Sequence, residues 1–246
     1  MLQVKSAKIL LISVSIIIFS SIAILDSCKD IAFNNPLDPN ASKEVVQVIK
    51  VIETTLSGKG DLGFDGEKLW KTGSSGTLYA LDIESGSIIR SYFVTPGSGV
   101  TFFDEHIYLC SGNGENILYV IDPLSGDILN RLSTTGIYPG FLAAYGDRLI
   151  IYDVRSSGIF EYDQDSGNGT RLFDLSGMNI GGIGIYKDTL LISDTNTDTI
   201  YRFTMTGDVT SVFTSPAAGI GGLTVDAGDY VYLFTLDGKI YKVTLP

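Results

Sequence analysis

The chain has 246 residues with 17 Lys and Arg, 28 Asp and Glu, one His and two Cys, and its net charge is −11. This charge argues against a nucleic-acid partner, because affinity for phosphates depends on Lys and Arg. One His and two Cys exclude a His-rich metal cage, a four-cysteine zinc site and a disulfide framework.

The first 27 residues read as a signal peptide. Two lysines precede an uninterrupted apolar run over Ile9–Leu25, which is the order of charge and core in secretory signals. The run ends in Leu25-Asp26-Ser27-Cys28, which resembles the lipobox of bacterial lipoproteins. The resemblance implies that the signal is removed, that Cys28 carries acyl chains such as palmitate, and that the protein is extracytoplasmic in the cell envelope. An uncleaved membrane anchor with an incidental Cys is the alternative.

Residues 28–44 are predicted to form a flexible tether. Their Asn34–Asn40 segment holds Pro and Asn at a density that opposes both helix and central strand. Without residues 1–27 the net charge is −12, so the mature chain gains no attraction to an anionic bilayer. We therefore expect the lipid on Cys28 to hold the protein at the membrane.

The rest of the chain repeats itself with a period that is typical of propellers and solenoids. An aromatic residue marks each copy, and the steps between these aromatics are 40, 41, 41 and 40. The aromatics are Tyr79, Tyr119, Phe160, Tyr201 and Tyr241. In the first four copies a Ser-Gly or Thr-Gly turn follows, beginning at Ser85, Ser125, Ser166 and Thr206.

Each copy reads as four short β-strands separated by Gly, Asp and Asn turns. In the fourth copy the strands are predicted at Ile183–Tyr186, Thr189–Ser193, Thr199–Phe203 and Val209–Thr214. Four antiparallel strands per repeat form the blade of a β-propeller. Residues 45–246 are therefore predicted to be an all-β propeller domain of five blades.

The fifth copy stops one strand short, at Pro246. The β-branched run Gln47–Thr55 has the right offset from the first copy to supply the missing strand. The sequence therefore predicts that the N-terminal strand completes the last blade and pairs the two ends of the domain. A partial propeller that needs a partner is the alternative.

Three segments carry a resemblance to known propellers. Leu78–Gly86 and Leu118–Gly126 resemble quinoprotein repeats, and Ser193–Tyr201 resembles NHL repeats or the calcium-dependent lactonase propellers. Residues 47–246 as a whole are similar to the NHL, YncE-like and quinoprotein-repeat group. Quinoproteins carry a Trp signature in most blades, whereas this chain has only Trp70, which argues against a quinone cofactor. No cofactor is predicted. The lactonase resemblance implies Ca²⁺ as a candidate ligand. The match is loose, because those propellers use a Glu near the axis and this sequence has none in a clear position.

Polar side chains gather in the loops between second and third strands, which in a propeller share a face with the links between blades. The candidate ligand-binding residues are Asn113, Asp153, Arg155, Asp194 and Asn196. Asp153 and Asp194 end matching strands of neighbouring blades, and carboxylate oxygens suit a hard cation such as Ca²⁺. The alternative is that these side chains cap their own turns.

The remaining aromatic and reactive residues are expected to be structural. The repeated aromatics occupy one strand position, which favours packing between blades over a stacking surface for sugars or bases. His106 lies in a surface turn without an accompanying nucleophile. Cys110 lies in a predicted strand and is expected to be a small buried side chain.

Two functions of different classes are consistent with these features. The preferred hypothesis is a lipid-anchored, monomeric binding module that displays its loop-rich face to a protein, peptide or glycan, since no catalytic set is visible. The alternative is a Ca²⁺-dependent hydrolase or lactonase-like enzyme that uses Asp153 and Asp194. Fold membership alone does not decide between them.

Overall fold

A computed structural model describes residues 43–73 and 75–246, and Lys43–Pro246 forms one compact unit. The predicted signal peptide, Cys28 and the tether up to residue 42 lie outside the described residues. Within the described ranges the regular structure consists of β-strands, as predicted. A helix long and apolar enough to cross a membrane does not occur in those ranges.

The strands form five sheets. The chain enters through β1 (Glu44–Val45) and β2 (Gln47–Glu53). Blade 1 consists of β3 (Leu62–Phe64), β4 (Lys68–Thr72), β5 (Thr77–Asp82) and β6 (Ile88–Phe93). Blade 2 consists of β7 (Gly97–Phe103), β8 (His106–Ser111), β9 (Ile117–Ile121) and β10 (Ile128–Ser133). Blade 3 consists of β11 (Pro139–Tyr145), β12 (Arg148–Asp153), β13 (Gly158–Asp163) and β14 (Asn168–Asp174). Blade 4 consists of β15 (Ile180–Tyr186), β16 (Thr189–Asp194), β17 (Thr199–Phe203) and β18 (Val209–Thr214). Blade 5 combines β19 (Ile220–Val225), β20 (Val231–Thr235) and β21 (Lys239–Thr244) with β2.

The ring closes as predicted, with β2 as the outer strand of the last blade. It pairs antiparallel with β21, so that Gln47 lies opposite Thr244 and Glu53 lies opposite Lys239. The end of β2 also meets blade 1, because a Cβ on Gly86 would lie 2.6 Å from the Glu53 carbonyl oxygen. The first and last strands of the domain thus share one sheet, and a five-bladed β-propeller is complete within a single chain.

A second contact at the N-terminal end of the domain was not predicted. Strand β1 pairs parallel with β18, with Glu44 opposite Phe213, and so adds a fifth strand to blade 4. Val46 lies between β1 and β2, is only 5% exposed and belongs to the core between blades 4 and 5. The entering chain therefore joins the outer strands of these two blades.

The core is divided into five clusters, each between two neighbouring blades. Each repeated aromatic lies on the third strand of its blade and packs in a different cluster; the five are Tyr79, Tyr119, Phe160, Tyr201 and Tyr241. The predicted packing role of these residues is confirmed. Cys110 is fully buried in β8, also as expected.

Candidate functional site

Asp153 is the last residue of β12 and is buried. Its Oδ1 accepts hydrogen bonds from the backbone N–H of Tyr138 at 3.2 Å and of Arg155 at 2.9 Å. Its Oδ2 accepts one from the Ser156 hydroxyl at 2.7 Å. This carboxylate therefore joins the link before its blade to the turn that follows β12.

Asp194, the last residue of β16, repeats this arrangement in blade 4. Its Oδ1 accepts from the N–H groups of Asn179 and Asn196, both at 3.0 Å, and its Oδ2 accepts from the Thr197 hydroxyl at 2.9 Å. Residues 43–73 and 75–246 contain no group of three or more His, Cys, Asp or Glu side chains that could hold a metal ion. The geometry is that of the turn-capping alternative, in which each carboxylate is engaged by its own blade.

The other three candidate residues are exposed on the loops. The guanidinium of Arg155 lies 3.4 Å from the centroid of the Tyr138 ring. The Asn196 Oδ1 accepts from the side-chain amide of Asn179 at 3.3 Å. Asn113 lies on a separate blade, in the loop after β8. The structure thus places Arg155 and Asn196 beside the links of their own blades.

Asp61, just before β3, was not singled out in the sequence and lies fully buried at the centre of the ring. Its Oδ2 accepts from the N–H of Val100 in blade 2, and its Oδ1 accepts from the N–H of Leu223 in blade 5, both at 3.3 Å. A Cβ on Gly182 of blade 4 would lie 3.0 Å from the same Oδ1. One carboxylate of blade 1 therefore bonds to two other blades and lies close to a third, which places it at the propeller axis.

A comparison of the inner strands would have revealed Asp61. The strand registers align it with Gly99, Phe141, Gly182 and Gly222 in the other blades. Three glycines at one ring position leave space at the axis, and the single carboxylate occupies it. Ionisable side chains are rarely fully buried, so an Asp at a position where three other blades have Gly would have stood out in an alignment of the repeats.

Lys71, on β4 of the same blade, is a second buried ionisable group. Its Nζ donates to the Thr72 carbonyl at 2.9 Å and lies 4.3 Å from the centroid of the Phe234 ring. Burial lowers the pKa of Lys71 to about 8, although the charge of Asp61 opposes this shift. Burial raises the pKa of Asp61 well above its usual value, although its backbone hydrogen bonds and the charge of Lys71 oppose this shift. For both groups the loss of hydration outweighs their mutual attraction.

Two cavities are lined by strands of the blades. One of about 200 Å³ lies between the inner strands of all five blades. The other, here called the blade 1–2 cleft, has a volume of about 170 Å³ and is lined by residues that include Trp70, Ala80, Ile89, Arg90 and Leu124. The Trp70 Nε1 donates to the Asp65 carboxylate at 2.8 Å, so the only Trp of the chain has a fixed orientation in this cleft.

Exposed apolar side chains are concentrated on three consecutive blades. Eight of the large exposed hydrophobic residues lie on β2, on β6, and on β10 or the turn before it; they are Val48, Ile49, Val51, Ile88, Ile89, Phe93, Leu124 and Leu129. We call this set the apolar rim. Among the described residues, the outer strands β14 and β18 contribute none of them. Clustered apolar exposure of this kind marks interaction surfaces more often than scattered single residues do.

Comparison with known proteins supports the fold. A glutaminyl cyclase of Myxococcus xanthus is similar with a TM-score of 0.66 and 14% identity, over 82% of this chain and 96% of that one. BamB from Moraxella catarrhalis is similar with a TM-score of 0.45 and 17% identity, over 79% of this chain and 61% of that one. No family model matches the chain, and no curated protein matches it. At 14% identity the likeness to the cyclase is one of fold, a β-propeller, and carries no activity with it.

Proposed function

We propose that this chain is a lipid-anchored, extracytoplasmic β-propeller that binds a partner molecule and performs no chemistry on it. The observation that carries the proposal is the apolar rim on blades 5, 1 and 2. The buried loop carboxylates Asp153 and Asp194 are engaged in capping their turns and offer little support for a Ca²⁺-dependent enzyme. Asn113, Arg155 and Asn196 stay predicted polar contacts on the loop face.

The location of the protein rests on the N-terminal sequence. An apolar run that ends in a lipobox-like Leu25–Cys28 motif supports export and lipid attachment at Cys28. A multiply acylated cysteine anchors stably without help from surface charge, which suits a mature chain with a net charge of −12. The second cysteine, Cys110, is fully buried and so is not a competing attachment point.

Metabolic labelling with a palmitate analogue tests the anchor. We expect the wild-type chain to incorporate the label and Cys28→Ala to lose both the label and the processing of residues 1–27. Cys110→Ala is the matched control and should be labelled like the wild type. Continued labelling of Cys28→Ala would refute the lipid anchor, and an unlabelled wild-type chain in a bacterial host would do the same.

A further inference from the structure

The outer edges of the blades differ in how they are covered. In the described ranges, only the outer edge of β18 carries an additional strand, the parallel strand β1 of the same chain. The outer edges of β2, β6, β10 and β14 are open in those ranges. An open edge presents unpaired backbone N–H and C=O groups and accepts another strand unless charge, proline or a bulge opposes it. The β1–β18 pair shows that an outer strand of this propeller takes such a partner.

Strand β6 exposes apolar residues and carries a single charged one. A bulge at Ile89 interrupts its pairing with β5, but β18 has the same kind of bulge and still pairs with β1. The apolar residues of β6 include Ile89, which is 49% exposed, and Phe93, which is 83% exposed. Its one charged side chain, Arg90, donates to the carbonyl oxygens of Pro123 and Leu124 in blade 2 at 3.2 and 2.9 Å, and is thereby turned away from the edge. By contrast, β14 carries the ion pair between Arg171 and Asp174.

The blade 1–2 cleft lies beside this edge. One row of residues across β4, β5 and β6 lines the cleft: Trp70 lies opposite Ala80, and Ala80 lies opposite Arg90. A strand added outside β6 would place its own residue next in this row, because opposite residues of paired strands lie side by side. Ile89 and Leu124 line the same cleft, so an aliphatic or aromatic side chain is the group that suits it.

We propose that the open edge of β6 accepts an extended segment of a partner protein, which inserts one apolar side chain into the blade 1–2 cleft. Backbone pairing supplies affinity, and the cleft supplies selectivity, as in other cases of strand addition. The net charge of −12 on the mature chain favours a segment with basic flanks. This inference rests on the proposed binding function and specifies its surface and its partner.

Titration of the full-length protein in detergent with a synthetic strand peptide tests the inference. The probe has about ten residues, alternates Val and Thr around one central Leu, and carries Lys at both ends. A second peptide of the same sequence, N-methylated at alternate residues, cannot form the ladder. The fluorescence of Trp70, the only Trp, reports occupation of the cleft. Variants Ile89→Lys and Phe93→Lys charge the edge, and Thr170→Lys on the exposed face of β14 is the matched control.

We expect saturable binding of the unmethylated peptide, a shift in Trp70 emission, and about tenfold weaker binding by either β6 variant. Thr170→Lys should bind like the wild type, and all variants should melt like it. Absence of binding, or equal binding by the N-methylated peptide or by Ile89→Lys, would overturn the inference. A wild-type dimer in sedimentation that Ile89→Lys dissociates would also overturn it, because the occupant would then be a second copy. If the wild-type chain binds the peptide but does not incorporate the palmitate analogue, only the proposed lipid anchor would be refuted.

Discussion

Asp61 accepts a hydrogen bond from the backbone N–H of Leu223, a residue 162 positions later in the chain. It lies in the first blade, and Leu223 lies in the last. The same carboxylate accepts from Val100 in the second blade. Blade closure therefore has two components, the β2–β21 pairing at the outside and Asp61 at the axis.

Asp61→Asn should change the pH dependence of stability. Burial raises the pKa of the Asp61 carboxyl in the folded state, so its contribution is present below the unfolded pKa of about 3.9 and is lost as pH rises through the folded pKa. Asn imitates the protonated acid. As pH rises from 4 to 7 in urea titrations, the free energy of unfolding of Asp61→Asn should therefore increase relative to that of the wild type, so that the variant becomes relatively more stable. Parallel pH curves for the two proteins would contradict this role.

Lys71→Met should act at higher pH. The pKa of Lys71 is about 8 in the folded protein, against about 10.4 in an unfolded chain. The unfolded state therefore binds more protons between these values, and wild-type stability gains from Lys71 as pH rises through this window. Urea titrations at several pH values from 7.5 to 10.5 should show that Lys71→Met lacks this gain. A Lys71→Met protein that gains as much as wild type would refute the buried state of the amine.

Val46→Ala and Val45→Ala form a matched pair at the entry of the chain. Val46 is 5% exposed between blades 4 and 5, whereas Val45 is 77% exposed. We expect Val46→Ala to lower the free energy of unfolding by about 2 kcal/mol, because two buried methyl groups are lost. Val45→Ala should change it by less than about 0.5 kcal/mol. If chemical denaturation shows equal losses of stability for the two variants, the packing of Val46 between blades 4 and 5 does not stabilise the fold.

Asp153→Ala should act on stability. Removal of this carboxylate leaves three hydrogen-bond donors without their acceptor and should cost about 1–3 kcal/mol. Asp147→Ala, whose carboxylate is exposed in the same blade, is the control and should be nearly neutral. Added Ca²⁺ should leave the melting temperature of the wild type unchanged. A Ca²⁺-dependent rise that Asp153→Ala or Asp194→Ala abolishes would restore the cation-site hypothesis.

The architecture could be predicted from the sequence because each propeller blade is formed by residues that are close together in the chain. Steps of 40 or 41 residues, alternating strands and Ser-Gly turns define each blade from its own residues, and the offset of Gln47–Thr55 identified the closing strand. Strand β1 escaped prediction because two paired residues leave no periodic signal. Asp61 and Lys71 escaped because their burial depends on residues from other blades that meet at the axis.

The strand-end positions of Asp153 and Asp194 were predicted correctly, whereas their role was left open. Asp153 and Asp194 do end matching strands, but whether such carboxylates face a ligand or their own turn depends on the N–H groups of the following loop. The apolar rim was missed for a related reason. The sequence of a β-branched strand does not show whether the strand will be covered or exposed in the folded protein. Only the structure shows that β18 pairs with β1 whereas β6 is the last strand of its sheet.

We propose above all that this propeller binds a partner through its apolar rim. The direct measurement compares the affinity of the strand peptide for Ile89→Lys on the rim and for Arg155→Ala on the loop face, with the full-length wild type as reference. We predict about tenfold weaker binding by Ile89→Lys and unchanged binding by Arg155→Ala. Unchanged binding by Ile89→Lys together with a loss in Arg155→Ala would contradict the claim and return the binding site to the loops.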